Sequence, residues 1–552
     1  MPSRISDYII SARLITRTVR STRSPTSSSE LPGSCLMIPP AARLEKLEAL
    51  LARAAPPDED VAFILDLLSL PSSDRHKLPN LSPQRIKERT LQALLRQLEG
   101  LARKQPVLMV FEDAHWIDPT SRELLDMTVD RVERRPVLLI VTFRPEFQHA
   151  RSGQPNVTVM ALNRLGGRDG AALVERLVGN TGLARETVDE IVERADGVPL
   201  FVEELTKAVL ESGDPGNRVA AVLAASPLPE LAIPATLHAS LISRLDRLGP
   251  SAKEVAQIGA VLGREFGYDL IERVAPAAEL QAGLGRLTEA GLLFCRGTAP
   301  QSSYLFKHAL VQDAAYGTLL RARRQELHVR VAAVLEENFA DLVETQPELL
   351  AHHLSAANSE RAGDQWLKAG RHAAQRLAHL EAIRHFERGL AILPALAEGR
   401  ERDGCEIELQ LARGLSLFTT EGFVSGAAAE AYARAHELSE RSGDVRQLFT
   451  AVFGLWVSAN GRGGMVDCRQ FSRRLQQLTA SDADGDLRLQ AHHSAWTTSL
   501  FSGEPAAVRE HCEAGRRLYD PDRHRAHRLL FGGHDPGVCA GYMGAQAHWL
   551  LG

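Results

Sequence analysis

Two adjacent carboxylates, Glu112 and Asp113, close an apolar run in the string PVLMVFEDAHWID, with His115 and Trp116 just beyond. A carboxylate at the end of a buried strand can hold Mg2+ directly or through water. A neighbouring one can orient or deprotonate an attacking water. Successive strand residues point to opposite faces, so Glu112 and Asp113 cannot serve one ligand in the same way. Three further features follow in order. Arg144 ends the apolar run LLIVTFR, Gly197 and Pro199 stand in DGVPLFVEEL before a helix, and His308 and Gln312 lie four apart in FKHALVQDAAY. The last spacing puts both on one face of a helix. A strand-end arginine, a Gly-x-Pro helix start and a lone histidine each have ordinary structural explanations; their order is what gives them weight.

The elements that must position these groups follow from hydrophobic periodicity. Ser82-Pro83 opens a helix whose apolar stripe runs through Leu91, Leu94, Leu95, Leu98 and Leu101. Pro106 stops it, and Val107–Phe111 reads as a buried strand. Asp118-Pro119 caps and starts the next helix, TSRELLDMTVDRV. Val137–Thr142 and Val157–Leu162 read as further strands, and strands alternating with helices imply a parallel sheet. Beyond Leu162 the pattern is helical. A Pro/Gly-containing stretch, Gly213–Pro234, reads as a linker. Short helices then precede one β-ribbon signal, LLFCRGTAPQSSYLFKH. From Gly363 onward the chain reads as helical hairpins of roughly 35–40 residues each.

Composition narrows the classes. The chain has 552 residues, enough for three or four domains, with 44% hydrophobic and 24% charged residues. A net charge of −5 gives nucleic acid no general electrostatic support. Six cysteines without C-x-x-C pairs argue against a disulfide framework or a zinc site and fit a reducing cytoplasm. No apolar run approaches the roughly 20 residues needed to span a bilayer. Up to Ser29 the chain is rich in Arg, Ser and Thr with one acid, Asp7; this resembles an organellar presequence in composition, and residues 1–40 are read as a disordered leader.

The ordered set of motifs resembles the STAND class of signal-transduction ATPases. The resemblance is closest to the bacterial proteins that join an adenylate/guanylate cyclase domain to an ATPase and tetratricopeptide repeats. It rests on PVLMVFEDAHWIDPTSRELLD, LLIVTFRPEF, LNRL, DGVPLFVEELTKAVLESG, IPATLHASLISRLDRL, IGAVLGREF, YLFKHALVQDAAYGTLL, PELLAHHL and YDPDRHRAHRLLFGGHDPGVC. The resemblance implies that Glu112 and Asp113 are Walker B carboxylates and the Mg2+ ligands, and that Arg144 is a sensor of the γ-phosphate. It further implies that Gly197 and Pro199 contact the adenine side of ATP or ADP, and that His308 senses bound ADP.

One part of that site is missing from this sequence: no G-x-x-x-x-G-K-[ST] and no Gly-Lys dipeptide occurs. There is then no backbone nest or lysine for the phosphates and no hydroxyl for Mg2+. The expected fold is mostly α with an α/β remnant: a partial P-loop-type parallel sheet, a winged-helix-like module and a C-terminal α-solenoid of tetratricopeptide type. Its parts are a leader (1–40), a partial ATPase domain (41–212), a linker (213–233), the winged-helix-like module (234–345) and the repeats (346–552), incomplete at the C-terminus. Losing the P-loop strand predicts a three-stranded remnant sheet rather than a complete five-stranded one: either Val157–Leu162 moves in beside Val137–Thr142, or the strand edges stay open.

The expected function is that of a cyclase-associated signalling ATPase, cytoplasmic, with ATP/ADP and Mg2+ as its cofactors or with none in this chain, and with absent or very weak hydrolysis. A second reading is a scaffold that binds proteins through its repeats, with self-association open to it. A third is a transcription regulator, resting on the basic cluster Arg321, Arg323 and Arg324.

Overall fold

A computed structural model describes residues 6–11, 20–21, 47–49, 51, 53–54, 56–68, 78–79, 81, 83–147, 153–179, 183–211, 235–275, 279–298, 301–480, 485–524, 527, 531 and 535–552. The chain divides into two compact units. The first takes Met1–Thr22, Glu48–Phe147 and Asp341–Gly552; the second takes Arg23–Leu47 and Gln148–Ala340. The expected linker 213–233 lies outside the described residues.

The first unit opens with strands β1 (Ser6–Ser11) and β2 (Arg20–Ser21), followed by helices α1 (Asp58–Leu67) and α2 (Pro83–Lys104). Strand β3 (Val107–Glu112), helix α3 (Pro119–Val132) and strand β4 (Val137–Val141) complete its α/β part. Pro83 begins α2, as its fixed φ favours, and Leu91, Leu95 and Leu101 of the stripe are buried. The sheet order is β2-β1-β3-β4. Strands β1, β3 and β4 are parallel, in register from Ser6↔Val107 and from Val107↔Val137, while β2 is antiparallel to β1. Val107, Met109 and Phe111 point into the core, the alternation that a strand imposes.

Two expectations are corrected here. The additional parallel strand is Ser6–Ser11, from the segment expected to be a disordered leader, and it pairs with β3 rather than β4. Val157–Leu162 forms no strand and belongs to the second unit. Its Val159, Met160 and Leu162 are 59%, 78% and 92% exposed, so no burial compensates the ordering of a strand there.

The second unit runs through helices α4 (Gly167–Val178), α5 (Arg185–Ala195), α6 (Pro199–Glu211), α7 (Ala235–Arg247) and α8 (Pro250–Leu262). Then come β5 (Glu265–Gly267), α9 (Tyr268–Val274), α10 (Leu280–Glu289), β6 (Leu293–Arg296), β7 (Ser303–Phe306), α11 (Ala309–Gly317) and α12 (Arg321–Asn338). The ribbon signal is realised as β6 and β7, which join β5 in an antiparallel sheet of order β5-β7-β6. Phe266 and Phe306 pack together across it.

The rest of the first unit is a helical solenoid-like array: α13 (Ala340–Thr345), α14 (Pro347–Ala356), α15 (Ala362–Gln375), α16 (His379–Ile392), α17 (Arg400–Glu421), α18 (Gly426–Ser442), α19 (Val445–Gly461) and α20 (Met465–Thr479). It continues through α21 (Gly485–Phe501), α22 (Pro505–Leu518), α23 (Pro521–His524) and α24 (Pro536–Leu551). Successive helices pack as hairpins, which makes each repeat depend on its neighbours. Phe418, Tyr432, Phe449, Phe453 and Trp456 form a continuous aromatic core across α17 to α19. The approach is close: a Cβ on Gly454 would lie 2.2 Å from the Tyr432 ring. No described helix is long and apolar enough to cross a membrane.

Candidate functional site

Glu112 is the last residue of β3, exposed, on the face opposite the buried Phe111. Asp113 follows in the left-handed region with φ 56°, a conformation that aspartate tolerates better than most residues. What holds it there is Thr142, one residue past β4. Thr142 N–H donates to Phe111 O (2.9 Å), and its carbonyl accepts from Ala114 N–H (2.9 Å). Its hydroxyl accepts from Asp113 N–H at 3.0 Å. Three hydrogen bonds thus lock the end of one strand to the end of the next and fix the direction of the carboxylate turn. Sequence reading missed Thr142, because a threonine at a strand end gives no signal until its neighbour strand is known.

Downstream, Asp118 is the N-cap of α3, accepting from Ser121 N–H at 2.8 Å with Pro119 at the first helical position. This capping was legible in the sequence. Its other contact was not: the carboxyl of Glu381, on α16, hydrogen-bonds to Asp118. Burial, then this hydrogen bond and the Asp118 charge, push the Glu381 carboxyl up to about 8. A second tie between the same parts of the unit is Arg376, whose guanidinium donates to Leu67 O at 2.9 Å.

The six residues singled out from sequence divide between the units. Glu112, Asp113 and Arg144 belong to the first; Gly197, Pro199 and His308 belong to the second. In the first, Arg144 is exposed, two residues beyond Thr142, and its carbonyl accepts from Phe147 N–H at 2.9 Å. A strand-end carboxylate with an adjacent acid on a fixed turn suits a hydrated Mg2+.

In the second unit, Gly197 has φ 69° and its carbonyl accepts from Leu165 N–H at 2.8 Å. A Cβ there would lie 2.5 Å from Leu165 O. Asp196 beside it is ion-paired with Arg164. The glycine is therefore demanded by the close approach of the LNRL segment. Pro199 opens α6, whose Glu204 forms a fully buried ion pair with Arg244 of α7. Arg244 also donates to Ala290 O at 2.9 Å. Glu203, on the same helix, is bridged by Lys207 and by Lys307, the latter at 2.6 Å. Burial works to raise the Glu203 carboxyl, but the hydrogen bonds from the two lysines prevail and bring it down to about 2.

His308 lies next to this cluster. It is the N-cap of α11, not a residue of its first turn, so the expected shared helix face with Gln312 is corrected. Gln312 instead donates to Ala260 O at 3.2 Å. Among the described residues His308 Nε2 is buried without a hydrogen-bond partner. Burial, reinforced by the Lys307 charge, holds its pKa below the ordinary histidine value. The structure thus brings the histidine to the helix that Pro199 begins. Two members of the basic cluster are engaged internally: Arg323 pairs with Glu326 and Glu254, and Arg324 lies over the Tyr316 ring.

A third group with metal-ligand chemistry is Asp486, His524 and His527. Its hydrogen bonds assign it another role. His524 Nδ1 accepts from Asp520 N–H at 2.8 Å, which places the ring proton on Nε2, 2.8 Å from Asp486 Oδ1. That nitrogen is a donor to the carboxylate, so His524 and Asp486 form a hydrogen-bonded clamp, while His527 Nδ1 lies 3.0 Å from Gln490 Nε2. The described cysteines are all free thiols, and burial raises Cys405 and Cys512 to about 12. Neither is a tuned nucleophile.

Comparison with known proteins adds two observations. Residues 13–141 match the AAA ATPase domain. The match contains the carboxylate turn and ends just before Thr142 and Arg144. An uncharacterized protein of Rhizobium meliloti (strain 1021) is 29% identical over 484 residues, covering 86% of this chain and 46% of that protein. The chain therefore spans less than half the length of the curated relative it matches.

Proposed function

We propose that this chain is an ATPase-related regulatory protein of the STAND type, allied to cyclase-associated signalling ATPases, with weak or absent hydrolysis of its own. The observation that carries this reading is the Glu112–Asp113 turn, locked to the end of β4 through Thr142, within the segment that matches the AAA ATPase domain. Such a turn supplies the carboxylate half of a Mg2+–nucleotide site. The sequence lacks the Gly-Lys pair that would bind the phosphates, and backbone cradling and lysine charge are the larger part of phosphate affinity and catalysis. Nucleotide state, where it acts, would be read by the module containing Gly197, Pro199 and His308.

The test combines phosphate release with titration of a fluorescent ATP analogue in the presence of Mg2+. The expected result is no turnover above that of the Glu112→Gln, Asp113→Asn double variant. Turnover that this double variant abolishes would refute the impaired-enzyme reading.

A second reading, in which the repeat array is a protein-binding scaffold, is favoured by the groove along α20 treated next. It predicts that capture of a protein partner by the full chain is unchanged by the double variant. The two readings are compatible, since a repeat array needs no nucleotide to present a surface.

A further inference from the structure

One face of α20 carries Val466, Arg469, Gln470, Arg473, Arg474 and Gln477 at the three- and four-residue spacing of a helix stripe. All of these are exposed, Val466 to 80%. Together they form one wall of a cavity of about 730 Å3. Val452 of α19 and Phe471 supply apolar lining, and His436 and Glu440 of α18 stand on the other side. The volume is in the range that takes an ordinary ligand or a few peptide residues.

The charges of this groove are unbalanced. Arg469 and Arg473 are four apart on one helix, a like-charge spacing that disfavours the helix on its own, and Arg474 adds a third cation. Arg469 has a carboxylate partner, Glu504 at 3.4 Å, and Glu440 lies 3.6 Å from His436. Arg473 and Arg474 make no ion pair among the described residues.

We infer that this groove binds an extended acidic peptide with carboxylates on alternate residues and a small apolar side chain between them. The inference rests on the reading of the array as a protein-binding surface. Its geometry is specific. The stripe from Val466 to Gln477 is about 16 Å long, the reach of roughly five extended residues. Arg469 and Arg473, one helical turn apart, stand about 6 Å from each other, close to the spacing of alternate residues in an extended chain, and a peptide carboxylate would take Arg469 from its exposed partner Glu504. Arginine forks suit carboxylates in two-point contact. Nucleic acid is the poorer fit, because the whole chain is acidic and Glu440 stands in the opposite wall. A phosphate backbone needs several cations in a row to gain affinity.

The experiment is fluorescence anisotropy of the full chain with a labelled peptide of sequence Glu-Val-Glu-Val-Glu. The same peptide with Gln for every Glu and a single-stranded oligonucleotide serve as comparisons. The expected result is binding that weakens with salt, is at least about tenfold tighter for the Glu peptide, and falls by a similar factor in Arg473→Glu, Arg474→Glu. The Arg473→Lys, Arg474→Lys variant should retain part of it, which separates charge from folding. Equal binding of the Glu and Gln peptides with a silent double charge reversal would overturn the groove while leaving peptide binding by the array intact. Absence of peptide binding, or tighter binding of the oligonucleotide, would overturn it as well. The scaffold reading answers to its own capture experiment, so the two failures are distinguishable.

Discussion

Glu381 is a carboxyl that folding forces to keep a proton. Its ordinary value is 4.5 and the folded value is about 8, because burial and then the neighbouring Asp118 disfavour a second charge, while Arg384 and Arg376 oppose them. Between those two values the folded protein holds a proton that the unfolded chain has released. The stability linked to this group is therefore fully present below pH about 4.5 and is lost as pH rises toward 8. The span corresponds to on the order of 2–5 kcal/mol. Melting of the full chain from pH 5 to pH 9 should show this loss, and Glu381→Gln, which keeps a neutral donor toward Asp118, should flatten it. An unchanged slope in the glutamine variant would rule the contact out as its source.

Among the elements, β3 is the member that both neighbouring strands and the covering helices need. Phe111 is 1% exposed and packs with Ala114, Ile117 and Leu125. Its truncation to alanine should cost about 3–5 kcal/mol. Leu138 on β4 is 62% exposed, and Leu138→Lys should change stability by no more than about 0.5 kcal/mol. It should also improve solubility, because β4 is the outer strand of the described sheet and a charge protects such an edge. Thermal melts and sedimentation of the two variants distinguish these effects.

This contrast also marks what was legible from sequence. The apolar run and its terminal carboxylates identified β3, and Asp118-Pro119 identified the start of α3, since both signals are local. The strand beside β3 was not legible. Ser6–Ser11 gains its role from a register with Val107–Glu112, and polar composition around it concealed a pairing set by tertiary position. Val157–Leu162 misled for the opposite reason: β-branched and apolar residues imitate a strand wherever no partner is available. Likewise Thr142, Glu381 and the buried Glu204–Arg244 pair act across long stretches of sequence, where periodicity carries no information. Gly197 stood out in the sequence, and what the structure shows for it is a close approach to the backbone of Leu165.

Over the whole molecule, the first unit is assembled from segments on both sides of the second. Its two parts are tied by Glu381 to Asp118 and by Arg376 to Leu67. A core truncation in the array should therefore lower the melting of the α/β part as well. Phe449, fully buried in the aromatic core, is the choice: Phe449→Ala should cost about 3–5 kcal/mol. Hydrogen exchange should report the loss in both α19 and β3 while leaving α8 and α10 protected as before. Loss of protection confined to α19 would mean that the array opens independently of the sheet.

The interleaved layout has a further consequence during synthesis. The sheet segment up to Phe147 leaves the ribosome with its apolar surfaces formed but its helical partner untranslated. The whole of residues 148–340 must be made first, which at about 5–20 residues per second takes roughly 10–40 s. During that interval the start of α3 at Asp118 and the end of α1 at Leu67, which the array meets in the finished unit, are open to other chains. Nascent protein should thus depend on chaperone protection in this window far more than the finished molecule does, and slowing translation within 148–340 should lower the yield of soluble chain.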